Sequence, residues 1–365
     1  MPGVENLNLV MVGINHLTAP VALREKTALS SSDLPGVLAQ LRALGLEEVV
    51  VLATCSRMEI YAGGRNPTAS GVLLRDWFLA RGGEALAGFL MEKSGPDALR
   101  HLFRVASGLD SWIIGESEIL GQVKRAYQAA LEAKATGRLL NQVFQKALAA
   151  GKHVRSRTGI QNGIHSIGGA AAQLARKIFS GRDPGGVVVF GSGEAAESVV
   201  RHLAAKNFPK IWVASRSLER AAAVAGPLGA EPLLVADGLA KIAEAEVAVF
   251  STACEHPLLE RQALAKLIGG RQRPLFIVDL GLPRNVDSDC AEVPGAYLYD
   301  LDDLKRIVRE SMDSKAPEKE RAEALCVLAA ADCLSELEKS EAAARGFYQT
   351  QGFRLEPINE GGIAR

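Results

Sequence analysis

The sequence predicts a multidomain chain that joins an α+β domain, an α/β domain and a closing helical segment. Three observations carry this. The 365 residues exceed what one hydrophobic core usually organises, roughly 250–300. An opening β-α-β-β order gives way to a long helical stretch, and then to strand-like runs alternating with helical ones. After Asp302 the chain turns helical and charged. The expected division is 1–158, 159–300 and 301–365.

Residues 8–15 read as a strand. A turn at Thr18-Ala19-Pro20 leads to a short helix from Val21, and Ser30, Ser31 and Ser32 offer N-caps to a helix near 34–44. Glu48 to Thr54 is a buried strand by its β-branched run, and Met58 to Tyr61 alternates as its partner. From about 96 to 180, apolar residues recur at helical spacing, as in ALRHLFRVASGL. Within 187–302 the runs VVVF, IWVAS, VAVF and LFIVDL alternate with helical stretches, the pattern of a parallel sheet covered by helices. Pro317 marks a break or a helix start, and EPINEGGIAR reads as a frayed tail.

The formal net charge is zero, which does not suit a general nucleic-acid binder, so any RNA contact must be local. Residues 124–157 form the strongest basic window. Lys124, Arg125, Lys134, Arg138, Lys146, Lys152, Arg155 and Arg157 stand there against one acid, Glu132. Such a window fits either an RNA backbone contact or a solvated helix face. No apolar run reaches the roughly 18 residues of a membrane span, and the start lacks a signal-peptide order, so a cytoplasmic protein is expected. The five cysteines are odd in number and widely spaced, which argues against a disulfide framework or a zinc site.

The most specific local motif follows VVVF. Gly191-Ser192-Gly193-Glu194-Ala195-Ala196 runs directly into a helical stretch, a GxGxxA turn between strand and helix. Gly191 permits the turn, Gly193 lets backbone approach a pyrophosphate, and Ala196 allows close helix–strand packing. The helix N-terminus adds free N–H groups and a positive dipole end. The next strand ends at Ser215-Arg216-Ser217, with no acid before Glu219. An Arg between two hydroxyls suits a 2′-phosphate, so this Rossmann-type domain is expected to bind NADPH rather than NADH. Cys55 ends a buried strand beside Arg57. A cation there would raise the thiolate fraction, although on the residues alone a small buried hydrophobe is the commoner reading for a free cysteine. His101, on a helix, is open between a structural and an acid–base role.

Five segments in order sharpen these readings: VGINHLTAPVALREK (12–26), ATCSRMEIY (53–61), HLFRVASGLDSWIIGESEILGQVK (101–124), FGSGEAAE (190–197), and VDLGLPRNVD with YLYDLDDL (278–304). Together they resemble the glutamyl-tRNA reductase family. The resemblance implies a catalytic domain, an NADPH domain and a spinal, dimerising helical segment, the last shortened here. It also implies that a cysteine takes the glutamyl group from glutamyl-tRNA as a thioester, which NADPH reduces to glutamate-1-semialdehyde, opening tetrapyrrole synthesis. Carried over by motif, Cys55 is the nucleophile and His101 a histidine needed for activity. Thr54, Ser56, Arg57, Ser111, Glu116, Ser117, Glu118 and Gln122 match substrate-binding positions, with Arg57 a natural fork for the substrate carboxylate. Gly191 to Ala196, with Ser215 and Arg216, are cofactor positions. A homodimer and the aminomutase that consumes the aldehyde are the implied protein partners. The chain departs from the usual STCNRTE and GEPQ at Ser56, Met58 and Glu118, the last adding negative charge near a substrate carboxylate. Two other readings stay open: a diverged paralogue that binds NADPH without reducing, and an ordinary dehydrogenase in which Cys55 is structural.

Overall fold

A computed structural model describes residues 7–30, 32–54, 56–111, 113–116, 118–161, 166–179, 185–254, 256–304 and 316–350, the last ten as backbone alone. The first sheet has four strands: β1 (Leu9–Asn15), β2 (Glu48–Ala53), β3 (Arg57–Gly63) and β4 (Met91–Ser94). Their order is β2-β3-β1-β4, antiparallel throughout. β1 and β3 are buried along their whole length, so both faces are covered. The packing helices are α1 (Val21–Thr27), α2 (Leu34–Ala43), α3 (Pro67–Gly82), α4 (Gly95–Ser107), α5 (Glu118–Glu132) and α6 (Arg138–Arg157). The β-α-β-β order expected from the sequence is present. Its capping is not as expected: Asp33 is the N-cap of α2, and Ser30 donates its N–H to the Asp33 carboxylate at 2.9 Å. The short charged β4 was not anticipated. It lies at the sheet edge, where charge is tolerated because it discourages further pairing.

After α7 (Ile167–Ile178), six strands form a second, parallel sheet: β5 (Gly186–Phe190), β6 (Ile211–Ser215), β7 (Glu231–Leu234), β8 (Ala245–Phe250), β9 (Leu275–Asp279) and β10 (Ala296–Tyr299). The order is β10-β9-β8-β5-β6-β7. The chain therefore runs outward from β5 through β6 and β7, then returns to β8 on the other side. That reversal between β5 and β8 is a topological switch point, where open α/β sheets place their ligands. Alternate residues feed two cores: Val187, Val189 and Val249 on one face, Val188, Phe190 and Phe250 on the other. This period-two split explains the unbroken apolar runs. The helices here include α8 (Glu194–Ala204), α9 (Leu218–Ala225), α10 (Val235–Lys241) and α11 (Arg261–Ile268).

The C-terminal helix, Ala316–Thr350, docks back onto α4 and α6. Ala322, Cys326, Ala330, Cys333 and Leu337 form its buried stripe and join the first core, at the spacing of one helical face. Arg104 pairs with Glu323, and Lys146 with Glu336. Among the described residues, no helix is long and apolar enough to cross a membrane.

Candidate functional site

The turn from β2 into β3 is tied by Thr54, whose Oγ1 accepts from the backbone N–H of Ser56 and of Arg57, each at 3.1 Å. Cys55 and Ser117 lie outside the described residues. Ser56 is buried. From the turn onward, Arg57, Glu59 and Tyr61 share one face of β3 because side chains alternate along a strand. All three are buried and bonded in series. Arg57 Nη1 lies 2.7 Å from Glu59 Oε1 and 3.1 Å from Asp110 Oδ2, and Tyr61 donates to Glu59 Oε2 at 2.8 Å. Arg57 Nη2 also donates to the Asp110 carbonyl.

Burial alone would raise the Glu59 pKa, but the Arg57 guanidinium, His101 and the Tyr61 hydroxyl outweigh it and hold the carboxyl at about 2. Burial likewise opposes the charge on Arg57, yet Glu59 and Asp110 hold its pKa above the ordinary arginine value. The two terminal nitrogens of the fork that the sequence offered to a substrate carboxylate are thus engaged by Glu59 and Asp110 of the chain itself.

His101, buried on α4, has Nε2 3.0 Å from Glu59 Oε1. Because Glu59 is ionised, Nε2 carries the proton and donates it, leaving Nδ1 as the nitrogen free to exchange one. Glu59, His101 and Asp110 bring one ligand atom each within 4.8 Å of one another, a spacing that a metal ion could use. The Arg57 guanidinium already supplies the positive charge at two of those carboxylates. Asn15 joins this group through Nδ2, 3.4 Å from Asp110 Oδ2. A cavity of about 390 Å³ is lined by Asn15, His101, Asp110 and Arg104 and by Glu323 and Cys326 of the C-terminal helix. Glu59, Asp110 and Asn15 were not singled out from the sequence. The alternation in RMEIY carried the signal for Glu59.

The acidic loop has two different residues in it. Glu116 sits beside buried Ser111, and burial raises its pKa against the pull of Ser111, Arg57 and Arg155. Its carbonyl accepts from Arg155 Nη2 at 2.6 Å. The loop turns at Gly115, where φ is +79° and a Cβ would stand 2.2 Å from the Ile160 carbonyl. Glu118 opens α5 and faces α8 rather than Arg57. It lines a polar cavity with Arg125, Glu194 and Ser198. Burial, Glu116 and Glu194 push its pKa up to about 7, against a hydrogen bond from Ser198 and the charge of Arg125. Gln122, one turn further along α5, is half-buried.

The Gly191–Ala196 turn leads from β5 into α8. Gly191 has φ +128°, and a Cβ there would lie 2.2 Å from the Ser251 carbonyl, so only glycine fits. A Cβ on Gly193 would meet no protein atom within 4 Å, which leaves room for a pyrophosphate to approach the backbone. Ala196 is fully buried, while Ala195 is half-buried. Ser192 and Ser215 touch through their hydroxyls at 3.2 Å. A groove of about 590 Å³ connects Gly193, Arg216 and Arg220 with Thr252 and Cys254. Arg220, missed in the sequence, lies one helical turn beyond Arg216. Glu194 lines the polar cavity beside α5, where Arg125 binds it with both nitrogens, Nη2 to Oε2 at 2.8 Å.

The other cysteines differ in kind. Cys290, Cys326 and Cys333 are buried, and burial pushes each thiol to about 11, so they stay protonated near neutral pH. The basic window also breaks up. Arg125 pairs with Glu194, Arg138 with Ser340, Lys146 with Glu336, and Arg155 points inward to Glu116. Lys124, Lys134, Lys152 and Arg157 remain exposed.

Comparison with known proteins bears on both halves. Residues 12–158 match the family model of the glutamyl-tRNAGlu reductase N-terminal domain, and residues 173–307 that of shikimate/quinate 5-dehydrogenase. The glutamyl-tRNA reductase of Deinococcus radiodurans is 39% identical over 326 residues, which cover 89% of this chain and 91% of that one. The chain belongs to the glutamyl-tRNA reductase family. The Akkermansia muciniphila reductase is also 39% identical, over 87% of this chain and 95% of its own length. That of Syntrophotalea carbinolica is 38% identical, with 73% of its length matched. A solved glutamyl-tRNA reductase from Methanopyrus kandleri is 33% identical and superposes with a TM-score of 0.51, covering 92% of this chain and 81% of that one.

Proposed function

We propose that this protein reduces glutamyl-tRNA to glutamate-1-semialdehyde with NADPH, through a thioester on Cys55. The observation that supports it most is the near full-length match to relatives named glutamyl-tRNA reductase. Residues 1–158 hold the acyl chemistry and 159–300 the cofactor. In the first step the Cys55 thiolate attacks the ester carbonyl carbon. A C–S bond forms, the ester C–O bond breaks, and the departing ribose oxygen takes a proton. NADPH, when bound, supplies a hydride to the thioester carbonyl. A C–H bond forms and the C–S bond breaks, which returns the Cys55 thiolate. Splitting the reaction replaces one hard reduction with two easier steps.

The described side chains have matching roles. His101, oriented by Glu59 through Nε2, moves the proton at Nδ1. Arg57 keeps positive charge beside the β2–β3 turn and holds Glu59 ionised. Glu116, Ser111 and Gln122 supply polar contacts to the glutamyl group. Gly191 to Ala196 receive the pyrophosphate, and Arg216 with Arg220 takes the 2′-phosphate. The groove fits that cofactor because two arginines converge where an NAD site would carry an acid. A paralogue without reductase chemistry draws support only from Ser56, Met58 and Glu118, and Glu118 faces α8 rather than the Arg57 cluster.

The test uses purified protein, glutamyl-tRNA and NADPH, and compares wild type with Cys55→Ser. Turnover to semialdehyde is expected in wild type, with a loss of about a thousand-fold or more in the variant. Equal turnover by the two would remove Cys55 from the mechanism.

A further inference from the structure

The cofactor groove is held from outside its own domain at two points. The first is at the pyrophosphate turn. Glu194 is the first residue of α8, where a carboxylate suits the helix dipole but would repel a bound pyrophosphate. Arg125 of α5 binds it bidentately, Nη2 to Oε2 at 2.8 Å and Nη1 to Oε1 at 2.5 Å. That fork cancels the charge and fixes where the turn stands relative to the first domain.

The second point lies across the switch point, beyond β8 and β9. In a doubly wound sheet the adenosine half of a dinucleotide lies on the side of β6 and the nicotinamide half on the side of β8. There a relay runs inward from α1, from partly exposed Glu25 and Arg284 to buried Asp279 and Asn285. Glu25 of α1 accepts from the Arg284 backbone N–H at 2.9 Å and pairs with its side chain at 3.4 Å. Arg284 belongs to the turn after β9, which Asp279 organises by accepting from the N–H groups of Gly281, Asn285 and Val286, each at 2.9 Å. Asn285, fully buried, then grips the strand end that lines the groove. Its Oδ1 accepts the Thr252 N–H at 2.7 Å, and its Nδ2 donates to the Thr252 carbonyl at 3.0 Å and lies 3.0 Å from Cys254 Sγ.

We infer that Arg125 and Glu25, neither of them in the groove, are positioning residues that bracket it, so that docking of the first domain tightens NADPH binding at both ends. By linkage, NADPH binding stabilises the docked arrangement to the same degree. Each contact is a partly exposed ion pair, so the effect of losing one is modest, about two- to five-fold in affinity.

The bracket presupposes that the groove binds NADPH. Full-length wild type, Arg125→Gln, Arg125→Lys and Glu25→Gln would be titrated with NADPH by fluorescence, and amide exchange would be followed in the cofactor-free proteins. Expected are an NADPH Kd weakened two- to five-fold in Arg125→Gln and Glu25→Gln, partial recovery in Arg125→Lys, and faster exchange at Thr252 in Glu25→Gln. Kd values equal to wild type in both neutralised variants, with unchanged Thr252 exchange, would overturn the bracket. Failure of wild type to bind NADPH would instead sink the cofactor reading. The exchange comparison would still decide whether Glu25 holds the Thr252 segment.

Discussion

Glu118 carries a carboxyl that burial and two neighbouring acids push up to about 7. Arg125 offsets only part of this, because its fork is turned to Glu194. The folded protein therefore binds a proton at Glu118 between about pH 4.5 and 7 that the unfolded chain releases. By linkage, the stability this carboxyl contributes is highest below that window and falls as pH rises through it. Glu118→Gln mimics the protonated form. Its melting temperature is expected to exceed wild type by about 3 °C at pH 8 and to match it at pH 5. An equal difference at both pH values would mean that the carboxyl does not titrate in the fold. Glu59 has the opposite sign. Held at about 2, it contributes stability above its ordinary range that is lost as pH falls toward 2. Half of this residue-level chemistry was legible. RMEIY sets Arg57, Glu59 and Tyr61 on one strand face by spacing alone. Asp110, which completes the network, lies 53 residues from Arg57, and no local pattern announces such a partner.

At the scale of elements, the proposed preference for NADPH over NADH rests on the turn from β6 into α9. Ser217 caps α9 and accepts from the Arg220 N–H at 3.4 Å, which sets Arg220 one turn above Arg216 on the groove side. Each arginine would make a charge-assisted contact to a 2′-phosphate, worth about 1.5–3 kcal/mol. Replacing Arg216 with Asp should cut the preference for NADPH over NADH by about ten- to a hundred-fold, read as the ratio of the two kcat/KM values. An unchanged ratio would move 2′-phosphate recognition elsewhere. The strands on which this turn rests were readable because β5, β6, β8 and β9 are continuous apolar runs buried on both faces. β7 and β10 were not, being four-residue strands at the outer edges of the sheet, partly exposed and without alternation. The basic window misled for a related reason. Charge counted along α5 and α6 does not record which face a residue takes, and Arg155 turns inward.

For the whole molecule, zero net charge means that the proposed tRNA substrate would have to be held by a local surface rather than by a general field. Four of the eight basic residues in 124–157 are engaged within the chain, and two of those, Arg138 and Lys146, meet the C-terminal helix. Lys152 and Arg157 stay exposed on the last turns of α6, close in sequence to the acidic loop that Arg155 fastens. If these two touch phosphates, each contact releases counterions and steepens the salt dependence of binding. The double variant Lys152→Glu with Arg157→Glu should then lower the slope of log K against log salt by about 1.5–2 and weaken tRNA at every salt below 0.2 M. Lys146→Glu serves as the contrast. It breaks the pair with Glu336 and loosens the C-terminal helix, yet removes no phosphate contact, so its slope should match wild type. Binding measured from 50 to 200 mM salt separates the two cases. A slope that drops for Lys146→Glu and not for the double variant would transfer the RNA surface from the end of α6 to the face beneath the C-terminal helix.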